Sequence, residues 1–77
     1  MKNYWLIQIL LDEINTALRK QAINIRGGKL NAFQAAYDVV ADYIEKNAPS
    51  FKTSSEYKRL DLCYSRSRGF FVELSEE

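Results

Sequence analysis

Residues 53–74 read Thr53-Ser54-Ser55-Glu56-Tyr57-Lys58-Arg59-Leu60-Asp61-Leu62-Cys63-Tyr64-Ser65-Arg66-Ser67-Arg68-Gly69-Phe70-Phe71-Val72-Glu73-Leu74, and two periodicities compete in them. Thr53 followed three residues later by Glu56 is a capping-box pattern. From Ser54 onward Tyr57, Leu60, Cys63 and Tyr64 share one helical face, and Gly69 lies beyond them as a helix stop. The competing pattern is a hairpin. Leu60, Leu62 and Tyr64 alternate, Arg66-Ser67-Arg68-Gly69 turns, and Phe70, Val72 and Leu74 alternate back. The capping signal and the spacing agree over two turns and favour the helix, with 70–74 as an extended aromatic tail. The expected fold is therefore all-α: a small three-helix domain with a long N-terminal helix, an antiparallel second helix, a shorter third helix and that tail. An α+β fold with a C-terminal β-hairpin at 60–74 is the alternative.

The other two helices are read more directly. Residues 4–20 place Tyr4, Ile7, Leu10, Leu11, Ile14, Ala17 and Leu18 on one broad stripe, the expected core face. Asn3 is a candidate cap, and Arg19 and Lys20 suit the negative end of the helix dipole near Gln21. Ile23 and Ile25 alternate with Asn24 and Arg26 in a short strand-like signature, which Gly27-Gly28 ends in a turn. A second helix follows, with Asn31 and Gln34 as its capping box and Phe33, Ala36, Tyr37, Val40, Tyr43 and Ile44 as its core face. Pro49 stops it. Residues 75–77 are expected to fray.

Length and composition narrow the functional classes. Seventy-seven residues form one domain, expected to be a single helical unit over 1–77 with a modest core. Net charge is +1, so no whole-molecule attraction to nucleic acid or to an anionic membrane is implied. Lys2 followed by an apolar run imitates a signal peptide, but Gln8 and Asp12-Glu13 interrupt it and no small-residue cleavage site follows. Cytoplasmic localisation with no membrane role is expected. The chain has one cysteine, Cys63, which excludes an intramolecular disulfide.

Catalysis is not expected. The chain contains no histidine, the commonest general base and the commonest metal ligand. Cys63 then has no base to activate it and, on the helical reading, faces the core as a structural thiol. Asp38 and Asp42 lie one turn apart on a polar face, where carboxylates are usually solvated, and no acidic cluster has calcium-loop spacing. Gly27-Gly28-Lys29 lacks the phosphate-loop pattern, because Ile23 and Leu30 stand where that pattern needs a glycine and a hydroxyl residue. No catalytic, cofactor-binding or metal-ligating residue is assigned.

Two clusters suggest binding instead. Trp5 and Ile9 sit one turn apart on the nominally wet side of the first helix, with Leu6 between the two apolar sets. A helix this greasy on two sides is covered either by the chain's own tail, 70–74, or by another molecule, and tryptophan is a frequent interface anchor. The expected function is a small non-enzymatic protein–protein interaction module: a self-associating accessory, inhibitor or regulatory protein that binds a larger partner. Its contact residues are Trp5, Leu6 and Ile9, with Arg59 and Arg66, seven apart on the helical reading, as polar anchors. Homodimerisation is expected on the same pattern. The second cluster sets Lys58, Arg59, Arg66 and Arg68 beside Tyr64, charge for phosphates and a ring for bases. It supports an alternative function as a nucleic-acid-binding regulatory module using residues 52–71.

Overall fold

The computed structural model describes residues 4–76, with side chains from Ile7 onward. Helix α1 (Tyr4–Gln21) and helix α2 (Lys29–Asn47) are followed by two 3₁₀ turns, Pro49–Thr53 and Ser55–Arg59. Strand β1 (Leu60–Ser65) and strand β2 (Gly69–Leu74) then form an antiparallel hairpin. The fold is α+β, and the all-α expectation is corrected. Residues 53–64 hold no third helix, and 70–74 is a paired strand rather than a tail.

The local reason for this outcome is visible at the residues that suggested a helix. Thr53 turns its hydroxyl back to the Ser50 carbonyl at 2.8 Å, and Glu56 accepts from the Ser54 hydroxyl at 3.1 Å, so no Thr53–Glu56 box forms. The helical start is spent on short 3₁₀ turns, which tighten poorly beyond a few residues. Beyond Arg59 the period-2 pattern takes over. Leu62 pairs with Val72 and Tyr64 with Phe70, so Leu60, Leu62, Tyr64, Phe70, Val72 and Leu74 all join the core. A helix would have turned Leu62 away from the face shared by Leu60 and Tyr64 and left Val72 without a partner strand. Gly69, at φ +73°, closes the connection in a conformation that β-carbons disfavour, and the Ser65 hydroxyl receives the Arg68 N–H at 3.0 Å.

The helices run antiparallel: Glu13 meets Tyr43, and Ala17 and Gln21 lie beside Val39 and Asp38. Ala32 and Ala36 are buried in α2, where small side chains permit the close approach. Helix α1 ends as expected at Gln21, where Ala22 takes φ +49°. The 23–26 signature is no strand; Ile25–Gly27 is a 3₁₀ turn, capped by the Asn24 side chain. Helix α2 begins two residues before the expected cap. Asn31 donates from Nδ2 to the Gly27 carbonyl at 3.2 Å instead of capping, and Gly28 occupies the N-cap position at φ +114°. The Asn3 cap lies outside the described residues.

Core residues come from both helices, the first 3₁₀ turn after α2 and the hairpin. Leu11, Ile14 and Leu18 of α1 meet Ala32, Ala36, Val40 and Ile44 of α2, with Phe51, Phe70 and Val72 closing the cluster. The hairpin is fastened to α1 by one side chain. Asn15 donates to the Val72 carbonyl at 3.3 Å and accepts the Val72 N–H at 2.7 Å, so its amide stands in for a neighbouring strand. At the far end Ser75 donates to the Arg59 carbonyl at 2.7 Å and accepts from Arg59 Nε at 2.8 Å. Ser75 is thus held, contrary to the expectation that the chain frays from that residue onward.

Candidate functional site

The hairpin packs along the side of α1 that carries Leu11, Asn15 and Leu18. The opposite side of α1, where Ile9 lies, faces α2 and solvent. Phe70–Leu74 therefore does not cover Ile9, which is 44 % exposed. Trp5 and Leu6 belong to α1, but their side chains lie outside the described residues.

Ile9 borders a shallow groove of about 370 Å³ along the α1–α2 seam. Ile9 and Ala17 give its apolar floor, with Asp12, Glu13, Thr16, Lys20 and Tyr43 around them. Helical spacing produces this wall, because residues 9, 12, 13, 16, 17 and 20 are successive i+3 and i+4 neighbours. The Tyr43 hydroxyl donates to the Glu13 carboxylate and ties the two helices across the groove. That bond, with partial burial and the Glu13 charge, pushes the Tyr43 phenol above its ordinary pKa. The seam continues past Ala17 and Gln21 to Asp38 and Asp42, where Lys46 pairs with Asp42 at 3.4 Å. Asp12, Glu13, Asp38 and Asp42 thus face Lys20 and Lys46, an acidic excess along an apolar-floored channel.

Basic residues are gathered elsewhere. Arg59 sits at the base of the hairpin, half-buried against Ile7, Gln8 and Leu74, and its guanidinium holds Ser75. Arg66 lies at the hairpin tip, one strand length away, on the order of 20 Å for a six-residue strand. The shared helical stripe expected for Arg59 and Arg66 is absent, because the segment between them is extended. Neither borders the Ile9 groove. Arg68 at the tip lies over the Phe71 ring, 3.7 Å from its centroid, on the outer face of the hairpin. Tyr64 points the other way, against Phe70, with ring centroids 4.9 Å apart. Lys58 is exposed in the second 3₁₀ turn.

Cys63 is also relocated. On the strand it faces outward beside Phe71 and Glu73 rather than inward, and it is half-buried. Its thiol donates to Glu73 at 3.7 Å. Burial, then the Glu73 charge and that hydrogen bond, push the thiol pKa up, which is the opposite of an activated nucleophile. Among the described residues no three His, Cys, Asp or Glu side chains are grouped as metal ligands, and no helix is long and apolar enough to cross a membrane.

Sequence reasoning assigned Tyr37 to the core, yet it is 54 % exposed, and Leu30 on the same side of α2 is 83 % exposed. The spacing of the two, seven residues apart, was the available signal. Comparison of the chain with protein-family models, with curated proteins and with solved structures finds no match.

Proposed function

We propose that the chain is a small protein-binding module whose α1–α2 seam seats a basic amphipathic helix of a larger protein partner. The supporting observation is the pairing in one channel of an exposed apolar anchor, Ile9, with the acidic excess of Asp12, Glu13, Asp38 and Asp42. An amphipathic helix laid in such a groove contributes an apolar side chain to the Ile9–Ala17 floor and lysines or arginines to the carboxylates. Of these acids Asp42 alone is ion-paired among the described residues, to Lys46, while Glu13 accepts from the neutral Tyr43 hydroxyl and Asp38 from the Gln34 amide; Asp12 sits directly beside Ile9. The Tyr43–Glu13 tie fixes the width of the groove before a ligand arrives.

The test is a calorimetric titration of the full chain with two designed amphipathic helical peptides, one of leucine and lysine, the other of leucine and glutamate. The lysine peptide binds, the glutamate peptide does not, and binding weakens as salt is raised. Ile9→Ser lowers affinity for the lysine peptide about tenfold, the cost of one lost apolar contact of about 1.4 kcal/mol. Equal affinity for both peptides, or none for the lysine peptide at 100 µM (roughly the −5 kcal/mol range), overturns the reading.

A second reading, nucleic-acid binding, is supported by the hairpin tip, where Arg68 lies over the outward-facing Phe71 ring and Arg66 is exposed in the same turn. It requires affinity for single-stranded DNA or RNA at low salt that falls with salt, and the loss of that affinity in Phe71→Ala. No response at low salt removes it.

A further inference from the structure

The hairpin has two outer edges, and among the described residues only the β2 edge is occupied. Val72 turns both its N–H and its carbonyl to Asn15, so Leu62–Val72 is a pair whose backbone groups point away from each other. By alternation the same holds for Leu60–Leu74 and Tyr64–Phe70. On β1 the Leu60 N–H returns to the Tyr57 carbonyl. The Leu60 carbonyl and both backbone groups of Leu62 and Tyr64 have no partner among the described residues. The strand's own residues do not blunt this edge. Residues 60–65 contain no proline, glycine or lysine, and their one charge, Asp61, lies on the outer face.

The inner face of β1 is equally incomplete. Phe70 and Val72 on β2 are buried, whereas Leu60, Leu62 and Tyr64 are only half-buried. Beside them α2 exposes Leu30 and Tyr37 on one side, with Phe33 nearby. Phe33 meets Phe70 edge-on at 4.9 Å, and Phe70 meets Tyr64 at the same distance. The apolar stripe of α2 is therefore continuous with the underside of β1.

We propose that β1 pairs antiparallel with β1 of a second copy of this chain, about a two-fold axis through Leu62. The strand is self-complementary about that residue. Leu62 meets its own equivalent, and Leu60 of each copy lies opposite Tyr64 of the other, so every apolar side chain stays on the inner face. The pairs formed are the hydrogen-bonded kind. The Leu62 pair supplies two bonds and each flanking pair supplies one, from the Tyr64 N–H to the Leu60 carbonyl. The same axis sets the exposed Leu30–Tyr37 stripes of the two α2 helices antiparallel beneath a four-stranded sheet. A net charge of +1 per copy offers little repulsion. The edge is remote from the Ile9 groove, so this inference does not rest on the proposed function, and Ile9→Ser leaves it untouched.

The experiment combines sedimentation equilibrium with amide hydrogen exchange on the full chain. The chain sediments as a dimer, and the Leu62 and Tyr64 amides exchange at least about tenfold more slowly in the dimer than in dilute monomer. Leu30→Glu and Tyr37→Lys, both at exposed positions, raise the dimer dissociation constant about tenfold or more while helical circular dichroism is unchanged. A chain that stays monomeric at several hundred micromolar overturns the proposal. So does a dimer whose Leu62 and Tyr64 amides remain as fast as in the monomer, or one indifferent to both substitutions.

Discussion

Asn15 carries more of this fold than its polarity suggests. It lies among the apolar residues of α1, 57 positions from the strand it holds, and satisfies both backbone groups of Val72, which is itself buried. Asn15→Ala leaves a buried N–H unpaired, at a cost of about 1–3 kcal/mol. In a domain this size each kcal/mol lowers the melting temperature by about 4–8 °C, which differential scanning calorimetry measures directly. Asn15→Asp keeps the acceptor for the Val72 N–H but sets an ionised oxygen against the Val72 carbonyl. Its carboxyl pKa rises on folding, so the variant gains stability relative to wild type as pH falls from neutrality through the raised folded value toward the ordinary carboxyl value of about 3.9, below which there is no further gain. A flat difference between pH 7 and pH 4 rules out that geometry. No local signal in the sequence marks Asn15, because its partner is defined only once the hairpin exists. Cys63 was misplaced for the same reason: its direction reverses when residue 63 is in a strand. Its thiol pKa is raised by burial and by Glu73, opposite which Asp61 adds a second carboxylate. The folded chain therefore holds this proton more tightly than the unfolded chain, and stability falls as pH rises past about 8.5. Glu73→Gln lowers the thiol pKa and shifts the pH profile of iodoacetamide alkylation to lower pH; an unmoved profile counts against the contact.

At the scale of elements, the two helices were legible because their determinants are local. Pro49 ends α2, the basic last turn closes α1 at Gln21, and the 3.6-residue spacing picks out Leu11, Ile14, Leu18, Val40 and Ile44. Tyr37 was misassigned because the buried side of α2 centres on Ala36, where the close neighbour is α1 rather than a large side chain. The hairpin was legible only as an alternative. A capping pattern needs four residues, whereas the strand pairing gains its energy from Phe70 and Val72 reaching a core built by both helices. The turn decides whether that pairing is reached. Gly69 at φ +73° has open space where a β-carbon would stand, so only the backbone conformation resists substitution. Gly69→Val costs about 1–2 kcal/mol, the penalty of the left-handed region, and Gly69→Asn costs less because asparagine visits that region. Gly27, with no positive φ and nothing near it, accepts alanine without loss. Chemical denaturation of the three variants ranks them Gly27→Ala, Gly69→Asn, Gly69→Val in falling stability. Equal stability of the two Gly69 variants would remove the turn from the account.

For the whole molecule, the decisive fact is that no pair of elements makes a closed core alone. Leu11, Ile14 and Leu18 face Ala36 and Ile44, but the layer is sealed only by Phe51 from the turn after α2 and by Phe70 and Val72 from β2. A helical hairpin of this length, with alanines at two of its buried α2 positions, leaves too little apolar surface covered to offset chain entropy. Truncation after Arg59 therefore does more than remove an appendage. It uncovers the α1 face along Leu11, Asn15 and Leu18, and deletes both partners of the Asn15 amide. The 1–59 fragment loses its cooperative thermal transition and binds a hydrophobic dye, retaining at most the partial helicity of isolated helices. Adding a synthetic 60–77 peptide in excess restores part of the transition, since the missing layer is supplied in trans. A fragment that melts as sharply as the intact chain would show the helix pair to be self-sufficient. The hairpin would then be a separable edge, available for pairing but not needed for folding.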